Sequence, residues 1–156
     1  MKETLILLST LIINFSSAFT QDFENINFTL NSEAYFDIKP DYRKSNTTEE
    51  ASVIIFKISI TNIGATPIPD LGATQRSEHL NFIVNDSIQN PLCLYNGTEI
   101  IGDHLLKNGE SAIYEWWIYA DDAYGEIFTV QWEYIKELSS KHKIDSKTKR
   151  ITLLTK

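Results

Sequence analysis

The sequence predicts an all-β protein, an antiparallel β-sandwich of about seven to eight short strands. Three observations predict it. Apolar residues recur at every second position along most of the chain, the period of a half-buried strand. Those runs are bounded by clusters of Gly, Pro, Asn and Asp that favour turns. Helical periodicity is almost absent beyond residue 20.

The elements follow in order. "INFTLNSEAYFDI" (26–38) reads as one long or two broken strands. "SVIIFKISITN" (52–62) is the clearest: Ile54, Phe56, Ile58 and Ile60 share one face, and Lys57, Ser59 and Thr61 the other. "IGATPIPDLG" (63–72) is a connector. "HLNFIVND" (79–86) alternates, with Leu80, Phe82 and Val84 on one side. "PLCLY" (91–95) is a short strand opened by a proline, and "YNG" and "KNG" are Asn-Gly turns. "SAIYEWWIYA" (111–120) and "EIFTVQWEYI" (126–135) are long strands joined by the acidic turn "ADDAYG". The polar stretch 136–149 reads as a long loop, and "KRITLLT" (149–155) closes the chain.

Residues 114–134 hold eight aromatic side chains, so the alternation has to be read strand by strand. Phe128, Val130, Trp132 and Tyr134 share a face, and at least the first three belong to the core. In the preceding strand Glu115 marks the wetter side. That places Trp116 inside, and Trp117 and Tyr119 outside or at an edge. With Tyr124 in the adjoining turn, Trp117 and Tyr119 are the candidate ligand- or partner-binding residues, because exposed aromatics stack on sugars or anchor protein interfaces.

The N-terminus has its own pattern. Lys2, the apolar run from Thr4 to Phe15 and the small residues Ser16, Ser17 and Ala18 follow the order of a secretory signal peptide. The expected organisation is a signal peptide over 1–20 and one sandwich domain over 21–156, with cleavage after Thr20 or after Ala18. Export to the periplasm or the medium follows. No second apolar run spans a bilayer, so no membrane anchor is expected in the mature chain. The net charge of −7 argues against nucleic acid and anionic membranes as partners.

The lone Cys93 has no partner for an internal disulfide and reads as a buried hydrophobe. Four Asn-x-Ser/Thr sequons, at Asn27, Asn46, Asn85 and Asn96, carry information only if the producing cell glycosylates.

Several stretches resemble a known family. "ISITNIGATPI" (58–68) resembles the strand-and-turn of secreted immunoglobulin-like domains. "FIVND" (82–86), "LKNGESAIYEWW" (106–117) and "YGEIFTVQW" (124–132) are similar to motifs of the intracellular proteinase inhibitor family of bacilli. Asn108 stands where that family has proline, and the glycine after Asp86 is missing. The resemblance implies an immunoglobulin-like sandwich and, more remotely, protease inhibition. It brings no inhibitory loop that can be matched residue by residue.

The chemistry is sparse. No nucleophile elbow, zinc-protease, P-loop or paired-cysteine motif is present. His79, His104 and His142 are scattered, and neither Asp121–Asp122 nor Asp103–His104 completes a calcium site or a dyad. No catalytic, cofactor or metal residue is therefore expected. The basic stretch Lys136 to Arg150 reads as a solvated hairpin rather than a polyanion site. The expectation is an exported, non-enzymatic binding module with a protein partner. A carbohydrate-binding module with a polysaccharide ligand is the alternative, and a small secreted enzyme comes last.

Overall fold

The computed structural model describes residues 26–44, 49–70, 79–89 and 105–154. The expected signal segment 1–20, the 91–95 strand, Cys93, Asp103, His104, Asn46 and Asn96 lie outside them.

The described residues form eleven strands: β1 (Phe28–Pro40), β2 (Glu50–Asn62), β3 (Ile68–Pro69), β4 (Leu80–Val84), β5 (Ser87–Gln89), β6 (Leu105–Leu106), β7 (Ser111–Tyr119), β8 (Ile127–Tyr134), β9 (Glu137–Leu138), β10 (Lys141–Asp145) and β11 (Arg150–Leu154). A 3-10 turn, Ala120–Asp122, follows β7. The described residues are all-β, and every pairing among them is antiparallel. The count exceeds the expected seven to eight because β3, β5, β6 and β9 have only two or three residues. Runs that short show no periodicity.

One sheet has the order β1-β2-β7. The other runs β11-β10-β8-β4-β5, with β9 also paired to β8, and β3-β6 form a small third ladder. The two large sheets share one core. Ile54, Phe56, Ile58 and Ile60 of β2 meet Phe82 of β4 and Phe128, Val130, Trp132 and Tyr134 of β8, all 4% exposed or less. Phe82 sits at the centre, with ring contacts to Phe56 (5.1 Å), Trp116 (4.8 Å) and Trp132 (4.6 Å). Trp116 is thus packed on the core, as its alternation indicates.

Half of the expected long loop 136–149 is strand, in β9 and β10. Its inward positions on β10 are His142 and Ile144, and a histidine hides the apolar period. Between β9 and β10 the register against β8 slips by one residue, the mark of a β-bulge at Ser139–Ser140. Ser139 is wholly buried there; its N–H donates to Trp132 C=O and its Oγ accepts from Trp132 N–H.

Two turns fix the ends of β2 and β7. Asn62, fully buried, donates from Nδ2 to the carbonyls of Thr66 (2.9 Å) and Leu106 (2.8 Å), and its Oδ1 accepts from Gly64 N–H (2.9 Å). A Cβ on Gly64 would lie 2.9 Å from the Asn27 nitrogen, so the turn admits only glycine without rearrangement. Gly109, at φ +81°, closes the second turn by donating to Asn62 C=O. The hairpins at Asn85–Asp86 (φ 49° and 62°) and Ile135–Lys136 (φ 47° and 65°) are tight two-residue turns.

Candidate functional site

The outer face of β2 should be wet, yet Val53 and Ile55 are 0% and 1% exposed. Both point away from the core, since Ile54 and Phe56 point into it. The register explains their cover. Ile55 lies between Tyr35 of β1 and Trp117 of β7, and Val53 lies between Asp37 and Tyr119. Directly opposed side chains on one face are neighbours. Trp117 and Tyr119 therefore flank a small apolar seam outside the main core and are half-buried.

Their rings stand edge to face, centroids 5.2 Å apart and planes at 88°. Each carries a cation. Lys39 Nζ lies 5.8 Å from the Trp117 ring centre, and Arg43 Cζ 3.8 Å from that of Tyr119. The Tyr119 hydroxyl accepts a hydrogen bond from Tyr42 N–H at 2.9 Å, which ties the β1–β2 connection to the end of β7.

Arg43 organises this end of the molecule. Its Nε and Nη2 donate to the two carboxylate oxygens of Asp41, both at 2.9 Å, a bidentate pair. Its Nη1 donates to Asp121 at 3.0 Å and Asp122 at 2.8 Å. The guanidinium holds the Asp41 and Asp121 carboxyls below their usual range, and those acids push the Arg43 proton affinity further up. Asp121 and Asp122, which complete no calcium site, are thus a pair of arginine acceptors. Beside the clamp opens a groove of about 790 Å³, lined by Asp41, Arg43, Asp121, Glu126, Lys147 and Lys149 among others. Its charges are of both signs, and Lys147 already faces Glu126 at 3.8 Å.

The sequence-derived candidates do not form one group. Trp117 and Tyr119 are in contact. Tyr124, 39% exposed, packs edge-on against core residue Phe128 at 5.6 Å, and its burial raises its hydroxyl pKa. Arg43 stands in no motif that marks it as functional. Its signal lay in "KPDYRK", where an aspartate two residues before an arginine follows a strand-ending proline.

His142 is 8% exposed, its Nε2 is 3.1 Å from Ser32 Oγ, and its burial lowers its pKa. Ser32 Oγ donates to Ser140 C=O at 3.2 Å, so that hydroxyl is spent on joining β1 to the other sheet. His79 sits just before β4, its carbonyl accepting from Ile135 N–H. Lys141 of the basic stretch pairs with Asp86 at 2.6 Å. Among the described residues no cluster of three His, Cys, Asp or Glu could hold a metal ion, and no helix is long and apolar enough to cross a membrane.

No family model matches the chain, and no curated protein matches it. Among solved structures, one from Bordetella pertussis, provisionally named the ApaA protein, superposes with a TM-score of 0.39 at 15% identity, covering 83% of this chain and 88% of that one. A superposition that loose carries no inference about function.

Proposed function

We propose that this chain is an exported, non-enzymatic binding module of immunoglobulin-like form, and that its partner is another protein docking around Trp117, Tyr119 and Arg43. The observation that carries this reading is the 88° angle between the two rings, with a guanidinium on one of them. A sugar platform uses coplanar, open ring faces. Here the faces are crossed and partly covered. Aromatic rings beside an arginine, over a buried aliphatic floor, are instead the composition of protein-interface hot spots. The internal use of Ser32 and His142 supports a binding role over a catalytic one.

The test is a photo-crosslinker at Ile113, which is 58% exposed on the same outer row of β7. Exposure to extracts of the producing organism's envelope and medium should give a discrete protein adduct that Trp117→Ala and Arg43→Ala both abolish. Retardation by a polysaccharide gel that Trp117→Ala removes would refute the reading and favour a carbohydrate-binding module.

A second reading is proteinase inhibition, which the family resemblance implies. It is favoured by the clamped, exposed turn Ala120–Asp122, since inhibitors present rigid loops. A broad protease panel tests it: stoichiometric slowing of one protease sustains it, and no slowing removes it.

A further inference from the structure

Among the described residues, the β1 backbone has one satisfied side and one open side. At the ends of the β1–β2 ladder, Asp41 N–H donates to Glu49 C=O and Ile63 N–H to Asn27 C=O, both at 2.9 Å. Bonded pairs recur at every second residue of an antiparallel ladder. The odd-numbered residues of β1 therefore bond to β2, and the N–H and C=O groups of the even-numbered residues, Phe28 to Pro40, face away. Two further observations agree. Pro40 has no N–H to give and falls on the open side, where its lack removes nothing from the ladder. Ile38 N–H, on the same side, donates to the Asp37 carboxylate at 2.8 Å, a local acceptor standing where a strand's carbonyl would be. Among the described residues no strand pairs with that side of β1.

The sheets are also offset. Ser32 places β1 over β10, through His142 and the Ser140 carbonyl. The other sheet continues one strand further, to β11, with no described strand above it. Leu153 of β11 pairs with His142, shares its inward face and is 60% exposed. Ile38, on the inward face of β1, is 52% exposed. A lane one strand wide therefore runs beside β1 and above β11, with backbone donors and acceptors and Ile38 along its wall and Leu153 at its floor.

We infer that this lane takes an extended peptide segment of a partner protein as an added strand of the β1-β2-β7 sheet. The offset decides against a second copy, because a copy paired edge to edge would bring its own β10 and β11 into the volume that β11 occupies. Charge sets the peptide's chemistry. The outward row of β1 carries Glu33 and Asp37 on either side of Tyr35; Lys57 of β2 reaches one oxygen of Glu33 at 3.5 Å but leaves that side chain 66% exposed, and the nearby Lys39 is turned to Glu115 (3.9 Å) and Trp117. The fitting segment has basic residues four apart opposite those acids, and apolar residues between them facing Leu153. The lane lies on the opposite edge of the sheet from Trp117 and Tyr119, so it stands independently of the site proposed above.

The test is amide hydrogen exchange, read residue by residue by NMR on the whole protein. The probe is a blocked synthetic peptide with a Lys-Val-Thr-Val-Lys centre. In the free protein the amides of Ala34 and Phe36 should exchange fast, and those of Glu33 and Tyr35 slowly. The probe should slow Ala34 and Phe36 at least tenfold and leave Trp117 unperturbed. A probe with Glu for Lys, or one N-methylated on the amides facing β1, should lose that protection without any change to the protein. Slow exchange of Ala34 and Phe36 in the free protein, equal protection by all probes, no protection by any, or dimerisation through this edge would each overturn the inference.

Discussion

Replacing Asn62 tests the central claim about how the turns are held. Three side-chain hydrogen bonds end on this fully buried residue, to Thr66, Leu106 and Gly64. A hydrogen bond contributes about 1 kcal/mol net, so Asn62→Ala should destabilise by about 3 kcal/mol. For a domain of this size that lowers Tm by on the order of 10 °C. Asn62→Asp probes the direction of the bonds. Its oxygen can still accept from Gly64 N–H, but a second carboxylate oxygen then faces two carbonyl oxygens where an NH₂ stood. Near pH 7 this variant should be less stable than Asn62→Ala by about a further 1–2 kcal/mol, the cost of burying an ill-paired charge after relaxation. Protonation restores one donor, so the introduced carboxyl has a raised pKa in the folded state. Its penalty is then small below the ordinary carboxylate pKa of about 4 and grows as pH rises through the folded value. Urea unfolding at about pH 7 and about pH 5 measures both effects. An alanine variant within about 0.5 kcal/mol of the parent, or an aspartate variant no worse than alanine near pH 7, would refute the bonding scheme.

Other perturbations have equally definite outcomes. Arg43→Ala should let the Asp41 and Asp121 carboxyls return toward their ordinary range and speed limited proteolysis within 120–126 severalfold. Because those folded-state pKa values are depressed, the clamp's contribution is present above about pH 4 and is lost as pH falls below it, so the variant should show a shallower acid limb. Burial keeps His142 neutral in the fold while the unfolded chain takes up a proton near pH 6.5, so stability falls as pH drops below about 6.5; in His142→Gln the difference in urea midpoint between about pH 7.5 and about pH 5.5 should shrink. Trp132→Ala, at the centre of the core, should cost about 3–5 kcal/mol, and Trp117→Ala less than half of that by the same denaturant titration.

Much of the fold was legible because its long strands obey the two-residue period. Ile54, Phe56, Ile58 and Ile60, and Phe128, Val130 and Trp132, are where alternation places them. β10 was not legible because "KHKID" offers one aliphatic residue inward, and His142 acts as the other only by pairing with Ser32 more than a hundred positions away. The covered seam of Val53 and Ile55 was hidden for a related reason. The alternation shows which face of β2 meets the core, but only the flanking strands decide that Val53 and Ile55 on the other face are covered. Of the candidate site, the two outer aromatics were visible as residues. Their crossed rings, and the arginine that meets them, depend on how a turn after β1 folds back over the end of β7.

The connectivity also has a consequence in time. In the larger sheet, the hairpins β4–β5, β8–β9 and β10–β11 join neighbours through turns of a few residues. In the smaller sheet, β2 must find β7 from the far side of β4, β5 and β6, pairing Val53 with Tyr119. Closing so long a loop is entropically slow, whereas hairpins form within microseconds. The local units, β1–β2 and β8 to β11, then form early, and the two long closures, β2 to β7 and β4 to β8, come late. During that interval "SVIIFKISI", the most apolar run in the described chain, stays uncovered and is the segment most exposed to aggregation before the fold closes.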